Sequence, residues 1–411
     1  MTGRRVVVTG LGPVTSIGTG AHDFHRAQLK GVSGIRAVTR FDASDLPVRI
    51  AGEVDLPAEF APTRRELLAT DRCGHLAATA AALALADSGL DLKEEDHTRI
   101  GVVVGSGSGG SASLENGVTA MLAGGPRKLP PRLIPMAMVN SPAAHVALKH
   151  GLLGPCSAIS TACASGAEAL VAAHQMIASG EADVVLAGGA EAPLTSLVLG
   201  GFARMGALSL RNHEPEGASR PFDSARDGFV LAEGAALLVL ESAEHASARG
   251  ATILAELRGY GRSADAHHIT APHPEGVGAG RAVTAALRSA SLRPEDVSYV
   301  NAHGTGTAFN DASEARALHR ALGAAAGCVP VSATKSMTGH ALGAAGAIEA
   351  VASVQALVHG VVPPTLNLDS PDPAVGLDLV TDAPREGRIT SVLSNSFAFG
   401  GHNVVLAFTS V

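Results

Sequence analysis

The sequence predicts an α/β protein. Three observations carry that prediction. Short β-branched apolar runs alternate with long Ala- and Leu-rich stretches of helical period, the last helical stretch closes on glycine with prolines beyond, and one helix–strand–turn pattern occurs twice. In chain order, residues 6–9 are the first strand and the Ala-rich stretch 67–88 the first long helix. Strand 100–104 runs into a glycine-rich turn, helix 164–178 follows, and 184–187 and 236–241 are strands. The second part repeats the mixture: strand 253–257, helix 279–289, strands 298–301 and 329–332, helix 342–358 closed by Gly360 with Pro363 and Pro364 beyond, and a final strand at 403–408.

The repeated pattern is specific. Residues 82–109 read as a helix end, an acidic linker, the strand 100–104 and Gly-Ser-Gly-Ser-Gly. Residues 286–307 read as a helix end, Arg-Pro-Glu-Asp, the strand 298–301 and His-Gly-Thr-Gly-Thr. The same order about 200 residues apart predicts a duplicated α/β unit. No low-complexity linker separates the copies, so they are expected to pack as one body.

Length and composition narrow the function. A chain of 411 residues holds about two to four domains of ordinary size. Glycine occurs 48 times, where a typical ~7% would give about 29, while only 12 residues are aromatic. Charged residues at 17% and apolar residues at 46% exclude disorder, and the glycines have no three-residue period, which excludes collagen. A net charge of −7 gives no general attraction to nucleic acid or to anionic membranes. Cys73, Cys156, Cys163 and Cys328 form no CxxC pair, which predicts a reduced, cytoplasmic setting. The three valines at 6–8 are too short for a signal peptide, and no uncharged apolar run approaches 18 residues, so a soluble intracellular protein is expected.

Four glycine-flanked turns could carry chemistry. Cys163, in Thr-Ala-Cys-Ala-Ser-Gly, falls at the start of a helix, where unpaired N–H groups and the dipole favour thiolate. By itself it reads equally well as a small buried hydrophobe. His303 ends a strand ahead of a Gly-rich turn, where α/β proteins place site residues, and a core histidine bonded to backbone has the same look. Lys335 and His340, in Lys-Ser-Met-Thr-Gly-His, precede the helix that carries Glu349, a plausible partner for the buried-looking Lys335. Gly400 and Gly401 let backbone N–H groups approach a developing oxyanion, or simply make a tight turn. The glycine-rich 105–110 lacks a P-loop lysine, and the histidines at 267 and 268 have no metal-ligand companions.

Together, TACASG around Cys163, NAHGTGT around His303, KSMTGHALGAAGA around Lys335 and His340, and NSFAFGG near the end resemble the β-ketoacyl-ACP synthases. The likeness is greatest to the elongating enzymes of dissociated fatty-acid and type II polyketide systems, and it spans the chain from VVVTGLGPVTSIG at 6–18 to the last strand. It implies the thiolase fold: two βαβαβαββ halves in a five-layer α-β-α-β-α arrangement, 1–250 carrying the nucleophile and 251–411 both histidines. It implies that Cys163 takes the acyl chain in an oxyanion hole made by the N–H groups of Cys163 and Phe399. His303 and His340 would then assist decarboxylation of malonyl carrier protein, with Lys335 and Glu349 ordering them. Thr305 and Thr307 would bind the pantetheine arm, and Ser108, Phe202, Ala398, Gly400, Gly401, His268 and Thr270 would meet substrate.

The implied partner is an acyl carrier protein, which delivers substrate on 4′-phosphopantetheine and meets Arg64, Arg65, Arg127 and Lys128. No tightly bound cofactor, metal, nucleic acid or membrane is implied. The assembly is a homodimer, or a heterodimer with a chain-length-factor-like subunit, formed through the strand leading into the nucleophile helix. Three positions depart from the pattern: Ser108 where a bulky aliphatic residue often lines the acyl pocket, Ala398 for Gly, and His402 for Thr. They predict a roomier or more polar pocket, suited to a longer, unsaturated or partly oxidised chain. A non-catalytic chain-length factor usually lacks the nucleophile, and a thiolase typically uses a second Cys as base. Both fit less well than a condensing enzyme.

Overall fold

Two series of the same kind follow one another in the structure, a computed structural model that describes residues 3–411. The first is β1 (Val6–Thr15), α1 (Arg72–Ser88), β2 (Ile100–Gly105), α2 (Ser141–His150), β3 (Cys156–Ile159), α3 (Ser165–Ser179), β4 (Val184–Glu191) and β5 (Gly234–Ser242). The second is β6 (Ala255–Ala264), α4 (Val277–Ala290), β7 (Tyr299–Asn301), α5 (Ala308–Leu322), β8 (Pro330–Ser332), α6 (Ala345–His359), β9 (Ser391–Ala398) and β10 (His402–Thr409). Each is βαβαβαββ.

The strands order as β3-β2-β4-β5-β1-β6-β10-β9-β7-β8, so the second half mirrors the first across the β1–β6 seam. In each half the strands joined through helices pair in parallel: β2 with β3 and β4, and β7 with β8 and β9. The remaining pairs, including the seam at Val7–Glu256 and Val8–Ala255, are antiparallel.

Helices make the other layers. α1 and α2 cover the outer face of the first half-sheet, α4 covers that of the second with α5 packed on it, and α3 and α6 lie between the two half-sheets. Of the middle layer, α6 is apolar almost all round, as a helix buried on every side must be. Along α6 every residue from Ala345 to Leu357 is buried. The stretch Leu342–His359 is long and apolar enough to cross a membrane, but 89% of it is buried inside this protein. Each fully buried Val or Leu of this interior contributes about 1.5–3 kcal/mol of transfer free energy.

Glycine makes the outer layers fit. A Cβ on Gly12 of β1 would lie 2.0 Å from the Ala80 carbonyl oxygen of α1. A Cβ on Gly261 of β6 would lie 1.9 Å from that of Ala282 in α4. Both halves use a Gly-x-Gly strand, 10–12 and 259–261, to let the following helix lie on the backbone.

Several elements differ from expectation. The stretch 67–88 is not one helix: Arg64–Leu67 is a separate turn with a Thr63–Glu66 capping box, and α1 starts at Arg72. The reason is Asp71, whose carboxylate accepts from the Cys73 N–H and stops the helix there. The strands expected at 6–9 and 253–257 continue to Thr15 and Ala264 because polar and glycine positions are tolerated where partners lie on both sides. β3 and β9 had no clear period in the sequence.

Candidate active site

Cys163 sits in the turn between β3 and α3. The turn is closed by Ser165, whose hydroxyl donates to the Ala162 carbonyl at 2.6 Å and accepts from the Thr161 N–H at 2.9 Å. Ala162 is left-handed at φ 50°, a conformation costing about 1–2 kcal/mol without glycine, and it aims the next side chain off the helix end. Burial pushes the thiol up to about 12, partly offset by Lys335 and reinforced by Glu191. The backbone N–H groups of Phe399 and Cys163 pull the thiol down. The helix-end expectation of a resting thiolate is therefore overturned: desolvation is the larger effect, and the sulfur waits as a thiol.

His303 and His340 face the same cavity as Cys163, a space of about 280 Å³. Their rings meet edge to face at 5.4 Å, and the series continues to Phe397 on one side and to Phe229 and Phe202 on the other. Burial, then Lys335, holds both imidazoles well below 6.5, so both are neutral.

Lys335 fixes which nitrogen of His303 carries the proton. Its Nζ donates to the His303 carbonyl at 2.6 Å, contacts His303 Nδ1 at 3.2 Å and pairs with Glu349 Oε1. An ammonium only donates, so Nδ1 accepts and the proton lies on Nε2. Lys335 and Glu349 are 2% and 1% exposed. Burial raises the Glu349 carboxyl, opposed by Lys335. Glu349 Oε2, the Asn301 amide, Ser394 Oγ and Asn395 Oδ1 are also buried without protein partners.

The backbone is held as firmly as the side chains. Glu314 of α5 accepts from the N–H groups of His303 and Gly304, each at 2.8 Å, and from Asn395 at 3.0 Å. His340 is bracketed through its own N–H to Val230 and its carbonyl to Ala232. Glu314 was not singled out in the sequence, and its only signal was spacing: Asp311 and Glu314 share one face of α5, which by period alone reads as solvated.

Of the expected substrate contacts, Phe202, Thr270, Thr305, Thr307, Ala398 and Phe399 line the cavity. Thr305 and Thr307 hydroxyls lie 3.0 Å apart, and Thr307 also caps α5. Gly400 and Gly401, at φ 81° and 73°, turn the chain beneath Phe399, pinned by Gly400 N–H to the Ile269 carbonyl and Asp265 N–H to the Gly401 carbonyl. His268 stands outside the lining, its Nδ1 accepting from the N–H groups of Thr270 and Ala271. Ser108 also stands outside it, donating to Glu191 at 2.6 Å. Arg64, Arg65, Arg127 and Lys128 are exposed on two short helical turns.

Residues 3–246 match the family described as Beta-ketoacyl synthase, N-terminal domain, and residues 254–369 match Beta-ketoacyl synthase, C-terminal domain. Over 100% of both chains the protein is 47% identical to one from Coxiella burnetii named 3-oxoacyl-[acyl-carrier-protein] synthase 2. Two solved structures, each 36% identical over 100% of both chains, are similar to it. One is a type II polyketide-synthase acyl-carrier protein in complex with its ketosynthase bound to the hexaketide, at a TM-score of 0.92. The other is the ishigamide ketosynthase/chain length factor, at 0.94.

Proposed function

The chain belongs to the β-ketoacyl synthase family, and from that premise we propose how its site works. It is an acyltransferase, a 3-oxoacyl-ACP synthase that joins a carrier-borne acyl chain to malonyl carrier protein in fatty-acid or type II polyketide elongation. One observation carries the reading: Cys163, His303 and His340 open on one cavity.

In the first half-reaction Cys163 Sγ attacks the thioester carbonyl of the acyl carrier protein. The oxyanion is held by the N–H groups of Cys163 and Phe399. The pantetheine thiol leaves with the proton that Cys163 gives up, so the high thiol pKa costs no separate ionisation. In the second, malonyl carrier protein enters with its pantetheine arm along Thr305 and Thr307. Its C–CO2 bond breaks, the electron pair passes to the thioester enolate, and CO2 departs. His303 Nε2–H and His340 donate to the enolate oxygen; as neutral donors they stabilise the charge without quenching the carbanion. The enolate carbon attacks the acyl-Cys163 carbonyl, and the Cys163 thiolate leaves. Lys335 and Glu349 hold His303 in its donating tautomer and do not react.

These steps need no tightly bound cofactor. The carrier protein, being acidic, would dock on Arg64, Arg65, Arg127 and Lys128. Acyl chains would run past Phe202 and Ala398, with Thr270 also in the lining and the pinned turn of Gly400 and Gly401 below. The expectation of a long, unsaturated or partly oxidised chain rests on the small Ser108, which stands outside this lining and would act on chain length from the adjoining turn 105–110. Subunits would pair, with a second copy or a chain-length-factor-like partner, through β3. That strand ends the sheet, and the nearby helix Ser111–Gly124 leaves Leu114, Val118, Met121 and Leu122 exposed. We divide the chain into 1–250 and 251–411, a reading supported by the break between the two family matches, and place it in the cytoplasm, supported by four free cysteines.

The test is mass spectrometry of the protein during turnover with its own acyl and malonyl carrier proteins. The expected result is an acyl group on Cys163 and no condensation by Cys163→Ala. An active Cys163→Ala would overturn the mechanism. For the pocket, acyl-length profiles of wild type and Ser108→Ile should differ, the variant losing the longest chains.

A further inference from the structure

Glu191, the last residue of β4, is fully buried, and neither the sequence pattern nor the condensing steps above use it. Its carboxylate joins parts of the site that are far apart in sequence. Oε2 accepts from Gly107 N–H at 2.5 Å and Gly343 N–H at 3.0 Å. Oε1 accepts from Ser108 N–H at 3.0 Å, Ser108 Oγ at 2.6 Å and Ser106 Oγ at 3.2 Å. The two serine hydroxyls are themselves approached by donors, Gly109 N–H on Ser106 and Ser111 Oγ on Ser108. Every neighbour therefore donates, which is the arrangement an ionised carboxylate takes, and these donors oppose the burial that raises the Glu191 carboxyl.

Two strained residues lean on this clamp. Leu342, left-handed at φ 42°, stands two residues after His340 and immediately before Gly343. Ala162, at φ 50°, stands immediately before Cys163, and a Cβ on Gly107 would meet its backbone at 3.9 Å. Non-glycine residues in this region persist only where the surroundings over-determine them, and they cluster where the strain positions a reacting group. The fit around the carboxylate is tight: a Cβ on Gly343 would lie 2.4 Å from Oε2.

We propose that Glu191 is a positioning residue for the condensation: its buried carboxylate ties the 106–109 turn of the first half to Gly343 of the second and so holds Ala162 and Leu342, and with them Cys163 and His340, in place. The proposal rests on the functional reading above. Its negative charge has a second, separable effect, since it raises the Cys163 thiol.

Two substitutions separate geometry from charge. Glu191→Asp keeps the charge but is too short to reach Gly107 and Gly343 together. Glu191→Gln keeps the length but turns an NH2 donor toward N–H groups and removes the charge. With full-length protein we expect kcat to fall at least tenfold in both, with KM for malonyl carrier protein within twofold of wild type. Cys163 alkylation by iodoacetamide, followed against pH, should shift to lower pH in Glu191→Gln and much less in Glu191→Asp. A folded Glu191→Gln or Glu191→Asp with wild-type kcat overturns the proposal, as does an unshifted alkylation profile in a folded Glu191→Gln. If neither variant folds, Ser106→Ala, which removes a single donor, decides: a kcat severalfold lower supports the clamp and an unchanged kcat overturns it. Alkylation needs no condensing activity, so a wild type that fails to condense would count against the function, while the Cys163 profiles would still judge Glu191.

Discussion

Lys335 has three donors and three acceptors, and each has a different consequence. Replacing it with Met leaves Glu349 buried without its partner, which costs about 3–5 kcal/mol, and it frees His303 Nδ1 to take the proton. We expect Lys335→Met to melt earlier and to lose about 10²-fold in kcat. Adding Glu349→Leu should restore most of the melting temperature and none of the activity. Recovery of both would mean that Lys335 serves only the core. The two histidines set an acid limit on stability. Both are depressed below their ordinary 6.5. Between 6.5 and their native values the unfolded chain binds protons and the folded chain does not, so their contribution is complete above about 6.5 and lost as pH falls. Glu349, raised to about 7, acts in the opposite sense, its contribution fading as pH rises through 7. Melting midpoints between pH 8 and pH 5 should drop on the acid side, less steeply in His340→Asn than in wild type; equal slopes would remove the assignment to His340.

Among the elements, β1 and β6 show what glycine is for. Part of the glycine serves turns of the site: Gly304, Gly306, Gly339, Gly400 and Gly401 all have positive φ. Others do structural work: Gly12→Ala and Gly261→Ala would each drive a methyl into a helix carbonyl and should cost about 1–3 kcal/mol or more. Gly201 is the contrast. It lies inside the helix Ser196–Met205 with open space around it, so Gly201→Ala should stabilise by about 0.5–1 kcal/mol. Chemical denaturation of the three variants checks both directions, and a destabilised Gly201→Ala would show that helix to be strained. The long helices were legible because apolar residues recur along them at helical spacing. The break at Asp71 was not, because a side-chain cap competes with a period that continues through it. β3 escaped notice because one of its edges is free, so its four residues carry no alternating burial.

For the whole molecule, the mirrored strand order leaves β3 at one end of the sheet, while the short strand Asp378–Leu379 pairs with β8 at the other. If subunits pair through β3, Ala158→Pro removes an N–H from the free edge and should lower the mass seen by light scattering to that of one chain. An unchanged dimer would place the interface elsewhere. The chain itself determined the class of fold, its duplication and the turns that bring Cys163, His303 and His340 to one cavity. Those follow from period, from order along the chain and from rare residue types on glycine-flanked turns, which are local properties. Only the tertiary structure decided that the Cys163 sulfur rests as a thiol, that Lys335 sets the His303 tautomer, and that Glu191 and Glu314 hold the backbone of the site. Those depend on burial and on contacts between residues up to 152 positions apart, where desolvation and hydrogen-bond geometry outweigh anything written in a residue's neighbours.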